Sequence, residues 1–306
     1  MTRISFVIPV YRNQHAVTMT YQQIRQVLAS DLPAYDYEFV FVDDGSDDGS
    51  LDELIAIRRS DERVHVVSFT RNFGQMAAIL AGFKQATGDL VLHLSADLQD
   101  PVSLIPRMVK EVEVGSEVVV AHREHRADRL SSRVSSKIFY AIIRLSLPNI
   151  PPGGFDYVLM TRRVADAFNN MEVRNRFFQG DVLWLGYRTS LIPYTRAKRT
   201  VGRSQYTFAK RLKNSLDAIL DSSYLPIRFI SLVGVVTTLS GFVYAADIVY
   251  ARLMHHIPAG GLAPIMILLL IIGGVLMLML GIIGEYVWRI YDEVKGKPNY
   301  IVRQIY

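Results

Sequence analysis

A chain of 306 residues, half of them apolar, is long enough to bury a sizeable core in one large or two modest domains. The absence of cysteine excludes a disulfide framework and any thiolate metal site, and the seven histidines lack the HExxH-type spacing of a zinc enzyme. A net charge of +5 points to anionic partners without separating nucleic acid, phosphate and lipid.

The opening "MTRISFVIPVY" has no cleavable signal pattern, and its short β-branched run reads as a buried first strand. Further strands are predicted at Tyr37–Val42, Val64–Ser68, Leu90–Leu94 and Glu117–Ala121, after the first at Ile4–Val10. Helical patterns lie between them, for example Gln75–Ala86 and Val102–Val114. Short, fully apolar strands alternating with helices imply a mainly parallel sheet covered on both faces. Such sheets bind ligands beyond the carboxyl ends of their strands. The polar clusters fall there: Tyr11-Arg12-Asn13, Asp43-Asp44-Gly45-Ser46, Arg71-Asn72 and Ser95 to Asp100. No GxGxxG follows the first strand and no Walker lysine loop occurs, which disfavours dinucleotide enzymes and P-loop NTPases.

Beyond Arg123 the character changes. Arg123 to Leu147 is basic and amphipathic, either a surface helix with a core face or a helix lying in a membrane interface. A second run, Arg196 to Lys213, carries Lys and Arg and no acid. Phe229 to Tyr250 and Ile265 to Gly284 are each apolar enough to cross a bilayer, and the short link between them predicts a hairpin. Lys210, Arg211, Lys213 and Arg228 precede the first span, and Arg289, Lys295 and Lys297 follow the second. The intervening loop offers Arg252, so the positive-inside rule places the N-terminal domain and the C-terminal tail in the cytoplasm. Gly273, Gly274, Gly281 and Gly284 permit close helix contact and hence a homo-oligomer. Glu285 and Arg289 have the spacing of a helix-end ion pair. Asp247 reads as interfacial, and Trp184 as either a core aromatic or a platform for a sugar.

The strings "FVIPVYRN", "EFVFVDDGSDDGS", "RNFGQMAA", "GDLVLHLSADLQDP", "GGFDYVLMTRR", "RTVGRSQY" and "GEYVWRIYDEVKGKPNYIV" occur in this order. In that order they resemble family 2 glycosyltransferases with the GT-A fold, and more narrowly the polyprenyl-phosphate glycosyltransferases. Relatives of that kind include dolichyl-phosphate mannose synthase and bacterial undecaprenyl-phosphate glucosyltransferases. The resemblance covers nearly the whole chain. It implies a Rossmann-like GT-A core over residues 1–125, an acceptor and interfacial region over 126–226, two transmembrane helices over 227–290 and a cytoplasmic tail over 291–306.

The same resemblance assigns roles. Pro9, Tyr11 and Asp43 would line the nucleoside pocket, with Arg71 and Gly74 in the same donor cradle. Asp44, Gly45 and Ser46 read rather as turn and helix-cap residues. The metal motif departs from the family form: Ser95 stands where relatives carry a first carboxylate, leaving Asp97 and Gln99 for Mg²⁺ or Mn²⁺. Magnesium often uses one or two carboxylates plus substrate phosphate, so the departure is tolerable. Asp156 aligns with the acidic position near the acceptor, as base, orienting group or extra metal ligand. Arg123, Arg126, Arg133, Arg199, Arg203 and Ser204 are the candidates for the acceptor phosphate, because two anionic substrates must be brought together. Gln205 stands where relatives often carry lysine.

The implied reaction is inverting transfer from a UDP-glucose or UDP-N-acetylglucosamine type of donor to undecaprenyl or another polyprenyl phosphate, for cell-envelope glycan modification. The expected partners are a nucleotide-sugar, a polyprenyl phosphate and the bacterial inner membrane, with no nucleic acid. The rivals are a transferase of the same fold acting on diacylglycerol or protein, and a non-catalytic membrane scaffold, which only Ser95 favours. Removing everything from Phe229 onward is expected to leave the sheet intact.

Overall fold

Eight consecutive residues near the start of the chain, Arg3–Val10, form β1, and all but Arg3 and Pro9 are buried. A computed structural model describes residues 1–125, 141, 143–144, 148–151, 154–171, 176–195, 225–255 and 262–306. It divides into two units, Met1–Ser222 with Pro298–Tyr306, and Ser223–Lys297.

In the first unit β1 is followed by α1 (Ala16–Asp31), β2 (Asp36–Asp43), α2 (Ser50–Ser60), β3 (Val64–Phe69), α3 (Gln75–Gln85), β4 (Leu90–His93), α4 (Ile105–Glu113) and β5 (Val118–His125). Then come β6 (Tyr157–Thr161), α5 (Arg162–Asn169), α6 (Phe178–Trp184), β7 (Thr189–Thr195) and, at the chain's end, β8 (Val302–Ile305). The strands form one sheet in the order β7-β5-β6-β4-β1-β2-β3-β8. β1 pairs in parallel with β2 and β4, β2 with β3, and β5 with β7. β6 and β8 run against their neighbours. The sheet is therefore mixed but mainly parallel, as the strand pattern predicts, an α/β arrangement of the GT-A-like kind that the resemblance implies.

The period-2 alternation of buried residues explains the layers. Ile4, Phe6 and Ile8 share one face with Phe39 and Phe41, packed under Tyr21, Ile24 and Leu28 of α1 and Leu54 of α2. Phe39 is the hub there, stacked on Phe6 at 5.3 Å and meeting the Tyr21 ring edge-on at 5.1 Å. Val7, Val40, Val42 and Val91 face the other way, onto the small residues of α3 and onto Phe168 and Phe178. A Cβ on Gly82 of α3 would lie 2.3 Å from Val7 Cγ1, so only glycine lets this helix sit so close to the central strand.

Two antiparallel insertions matter for function. β6 lies between β4 and β5, with His93 opposite Val158 and Tyr157 opposite Ala121. Its first residue therefore sits just beyond the end of β4 and beside the middle of β5. β8 completes the opposite edge, with Val66 and Tyr306 exchanging N–H···O bonds of 3.3 and 2.9 Å. The expected tail over 291–306 is thus divided: its end is a strand of the eight-stranded sheet. Truncation at Phe229 would strip that strand and uncover β3, contrary to the sequence expectation.

The second unit contains α7 (Leu225–His255) and α8 (Leu262–Val294), which cover both expected spans. Among the described residues one stretch, Ile271–Val294, is long and apolar enough to cross a membrane, while Arg228–Tyr244 is a shorter apolar helix. The Glu285–Arg289 pair forms at 3.4 Å, as its spacing predicts.

Candidate active site

The loops after β1, β2, β3 and β4 meet at one edge because those strands are parallel. Direct bonds tie them together. Asp44 N–H donates to Val10 O at 2.9 Å, and Arg12 N–H to Ser46 Oγ at 3.1 Å. Arg12, in a left-handed conformation with φ 52°, turns its guanidinium onto Asp47 in a two-pronged pair at 2.5 and 2.6 Å. Tyr11 N–H is received by Asn13 Oδ1 at 3.1 Å, and Asn13 N–H by Ser50 Oγ at 2.9 Å.

The two acids ending β2 are both buried, Asp43 to 1% exposure and Asp44 to 3%. Asp43 accepts from Ser46 N–H at 3.2 Å and lies 3.5 Å from the Ser68 hydroxyl. Asp44 is neither solvent-exposed nor a cap of α2: its two oxygens receive Phe73 N–H at 2.6 Å and Gly74 N–H at 2.9 Å. It clamps the loop entering α3. Burial raises the pKa of both acids, that of Asp44 to about 6 despite its two N–H donors. Gly45 lies beneath the same loop with φ +67°; a Cβ there would stand 2.4 Å from the Arg71 carbonyl carbon. Arg71 itself is exposed, its guanidinium 4.0 Å over the Phe73 ring. The donor-side residues proposed from the sequence, Pro9, Tyr11, Asp43, Arg71 and Gly74, are therefore all at this edge or within the loops that build it.

After β4 the chain makes a tight turn. Leu98 holds φ 57°, a left-handed conformation that costs a non-glycine residue about 1–2 kcal/mol. The turn lets Gln99 N–H reach Asp97 Oδ1 at 3.2 Å. Thr20 Oγ of α1 lies 3.2 Å from Ala96 O and braces the turn from below. Among the described residues no three His, Asp or Glu side chains converge as a metal cage. Asp97, with the Gln99 amide, fits a hard divalent ion held largely by a ligand's phosphate oxygens rather than one enclosed by the protein.

The remaining wall comes from β5, β6 and β7. Arg123 lies opposite Tyr194 in the β5–β7 ladder, and Asp156 immediately precedes β6. Arg123 Nη2 donates to Asp156 Oδ2 at 2.8 Å and its guanidinium also bonds Tyr194. The Tyr194 hydroxyl in turn donates to buried Asp100 at 2.6 Å. Burial opposes the charge on Arg123 more strongly than any one partner favours it, but Asp156, Tyr194 and Asp100 together outweigh it and hold the guanidinium firmly protonated. Arg123 Nε is buried and has no acceptor among the described residues. The motif read from the sequence names Asp100 without a role and misses Tyr194, whose only signal was its place just before the basic run. Trp184 is not a core aromatic: it is 71% exposed, at the end of α6 and ahead of the loop that enters β7. Arg126, Arg133, Arg199, Arg203 and Ser204 lie outside the described residues.

A mainly parallel α/β sheet with four linked loops and an oxygen-ligand turn at one edge defines a GT-A-like transferase domain. The chain belongs to glycosyltransferase family 2, whose model, Glycosyl transferase family 2, matches residues 5–168. It is 34% identical over 304 residues to the SfII prophage-derived bactoprenol glucosyl transferase of Shigella flexneri, spanning 99% of this chain and 98% of that one. To the uncharacterized glycosyltransferase YkcC of Bacillus subtilis (strain 168) it is 35% identical, over 99% of this chain and 94% of the other. Among solved structures, glucosyl-3-phosphoglycerate synthase from Mycobacterium tuberculosis in complex with Mn²⁺, uridine diphosphate and glucosyl-3-phosphoglycerate superposes with a TM-score of 0.50. It shares 18% identity over 71% of this chain and 77% of that chain, a likeness of fold.

Proposed function

We propose that this protein transfers a hexose from a uridine diphosphate sugar to a polyprenyl phosphate, with inversion, at the cytoplasmic face of the bacterial inner membrane. The observation that carries the reading is end-to-end similarity, 34% over 304 residues, to a relative named a bactoprenol glucosyl transferase. The similarity includes the apolar helices as well as the sheet.

In this reading an oxygen of the lipid phosphate attacks the anomeric carbon. The bond from that carbon to the diphosphate oxygen breaks, and UDP leaves with the electron pair. A phosphate monoester has a second pKa of about 6, so the nucleophile is largely a dianion at neutral pH and needs little help from a base. Asp156 then serves better as the partner that fixes Arg123 than as a proton acceptor. The open Nε of Arg123 is a donor for an acceptor phosphate oxygen. The exposed Arg71 guanidinium and the Gly74 loop face the donor side. Asp97 and Gln99 would hold Mg²⁺ or Mn²⁺, whose contribution when bound is charge stabilisation on the diphosphate.

α7 and α8 act as a membrane hairpin in this proposal. The chain path supports it: Ser223–Lys297 leaves the catalytic unit and Pro298–Tyr306 returns to it, so an even number of crossings keeps both parts on one side. The test uses purified full-length protein, undecaprenyl phosphate and a panel of labelled UDP-sugars, followed by organic extraction. Label in the lipid phase with one sugar is the expected result; none with any sugar, under conditions where UDP binds, would overturn it.

A further inference from the structure

The Thr70–Gly74 loop is irregular and largely exposed, and it carries the two donor residues Arg71 and Gly74. Asp44 and Gly45 hold it from the β2 side. On its other side stands β8, which the chain builds from its last residues after both long helices. Thr70 N–H donates to Ile301 O at 3.1 Å, and Arg303 Nη2 donates to Thr70 O at 3.1 Å, so both backbone groups of the residue before Arg71 are taken by the C-terminal segment. Tyr300 stacks on Phe69 at 5.0 Å with the rings 13° apart, and Phe69 meets Phe73 edge-on at 5.8 Å.

The strand register is irregular at this spot. Ser68 faces Gln304 while Phe69 faces Val302, which leaves Arg303 as the extra residue of a bulge. Bulges re-aim side chains, and this one sends the guanidinium to Thr70. An edge strand needed only to close the sheet would require neither the bulge nor a ring stacked at the base of the loop. We propose that Tyr300 and Arg303 are positioning residues for nucleotide binding, setting the Arg71–Gly74 loop from the far end of the chain. The inference rests on the reading that this loop lines the donor pocket.

UDP binding to full-length protein in detergent, with Mn²⁺ present, tests it by calorimetry on Arg71→Ala, Tyr300→Leu, Tyr300→Phe and Arg303→Ala. Losing one fixing contact should weaken UDP about five-fold in Tyr300→Leu and in Arg303→Ala. Tyr300→Phe keeps the stacked ring and should restore affinity. Hydrogen exchange at the Thr70 amide should accelerate in the two weakened variants, with the melting temperature of Arg303→Ala, a change at an exposed side chain, near wild type. Wild-type UDP affinity in Arg303→Ala and Tyr300→Leu, with Arg71→Ala weakened, would overturn the proposal while sparing the donor reading. Should Tyr300→Leu fail to fold, Arg303→Ala decides alone. Unchanged affinity in Arg71→Ala would remove the donor reading, and this inference with it.

Discussion

Gly45→Ala adds one methyl group at the joint between the β2 and β3 loops. Its Cβ would lie 2.4 Å from the Arg71 carbonyl carbon and 2.8 Å from both Arg71 Cα and Asn72 N. These are backbone atoms with no rotamer to escape into, so the loop must move by roughly 1 Å to reach ordinary contact. The left-handed φ of +67° adds about 1–2 kcal/mol for any residue with a Cβ. Overpacking costs typically about 1–3 kcal/mol more. The sum, about 2–5 kcal/mol, falls either on global stability or on the position of Arg71. Two measurements separate these: thermal unfolding of the full-length protein, and UDP binding. A loop shifted to accommodate the methyl should lose at least about tenfold in UDP affinity, since about 1.4 kcal/mol corresponds to tenfold. Gly74→Ala is the control. It also has positive φ, at +100°, but its Cβ would meet nothing within 4 Å, so it carries strain without collision. Gly45→Ala should be the more damaging. Wild-type melting and wild-type UDP affinity in Gly45→Ala would refute the packing argument.

Other perturbations reach other parts of the site. Tyr194→Phe removes the donor to buried Asp100 and one partner of Arg123; it should cost about 1–3 kcal/mol in stability and lower turnover more than UDP binding, and equal effects on both would argue against a link to the acceptor side. Asp97→Asn or excess chelator should cut sugar transfer by about 10²-fold or more, and full activity in chelator would exclude the metal. Burial raises Asp44 to a pKa of about 6, above its unfolded value, so its contribution to stability is complete below the unfolded value and is lost as pH rises through about 6. Melting scans should therefore show wild type losing ground to Asp44→Asn between about pH 4 and 6 and little further change above that, and a pH-independent difference would count against that assignment. A chain ending at Ser222 lacks β8 and exposes the β3 edge, so it should melt earlier and aggregate. Replacing Ser223–Lys297 by a long flexible linker keeps β8 and should largely restore the melting temperature; equal behaviour of the two chains would deny β8 a structural role.

The central half of the sheet was legible because its strands are continuous apolar runs. Ile4–Val10 and Val64–Ser68 were placed to within a residue at each end. β7 was hidden by Pro193, a residue that argues against a central strand; the sheet order puts β7 at an edge, where proline is tolerated. β8 was hidden for a similar reason, since "VRQI" has no apolar run and its side chains are exposed. Both are edge strands, and an edge strand is specified by its partner more than by its own pattern. The loops that meet at the carboxyl edge of the parallel strands could be read from their polar clusters. The contact between Asp44 and the Phe73-Gly74 amides could not, because it joins residues far apart in sequence, and turn chemistry within "DDGS" explained those residues equally well.

Charge at the active edge links the described site to the segments that flank it. Asp43, Asp44, Asp97, Asp100 and Asp156 all belong to this edge, whereas Arg123 is already paired with Asp156 and Arg12 with Asp47. The exposed Arg71 is the main cation of the described loops that is not in an ion pair with an acid. If the site holds a diphosphate and a second phosphate together, as proposed, it would be strongly repulsive on that inventory alone. Positive charge has to be added from somewhere near. β5 ends at His125 and β7 at Thr195, both on this edge, and Arg126 and Arg196 are the next residues in the chain. The first basic run therefore continues, and the second begins, directly after strand ends on the edge where the described site is short of cations. That placement gives the charge-rich segments a reason to follow these two strands and no others, and it makes Arg126 and Arg199 the substitutions whose loss should fall on the lipid phosphate rather than on UDP.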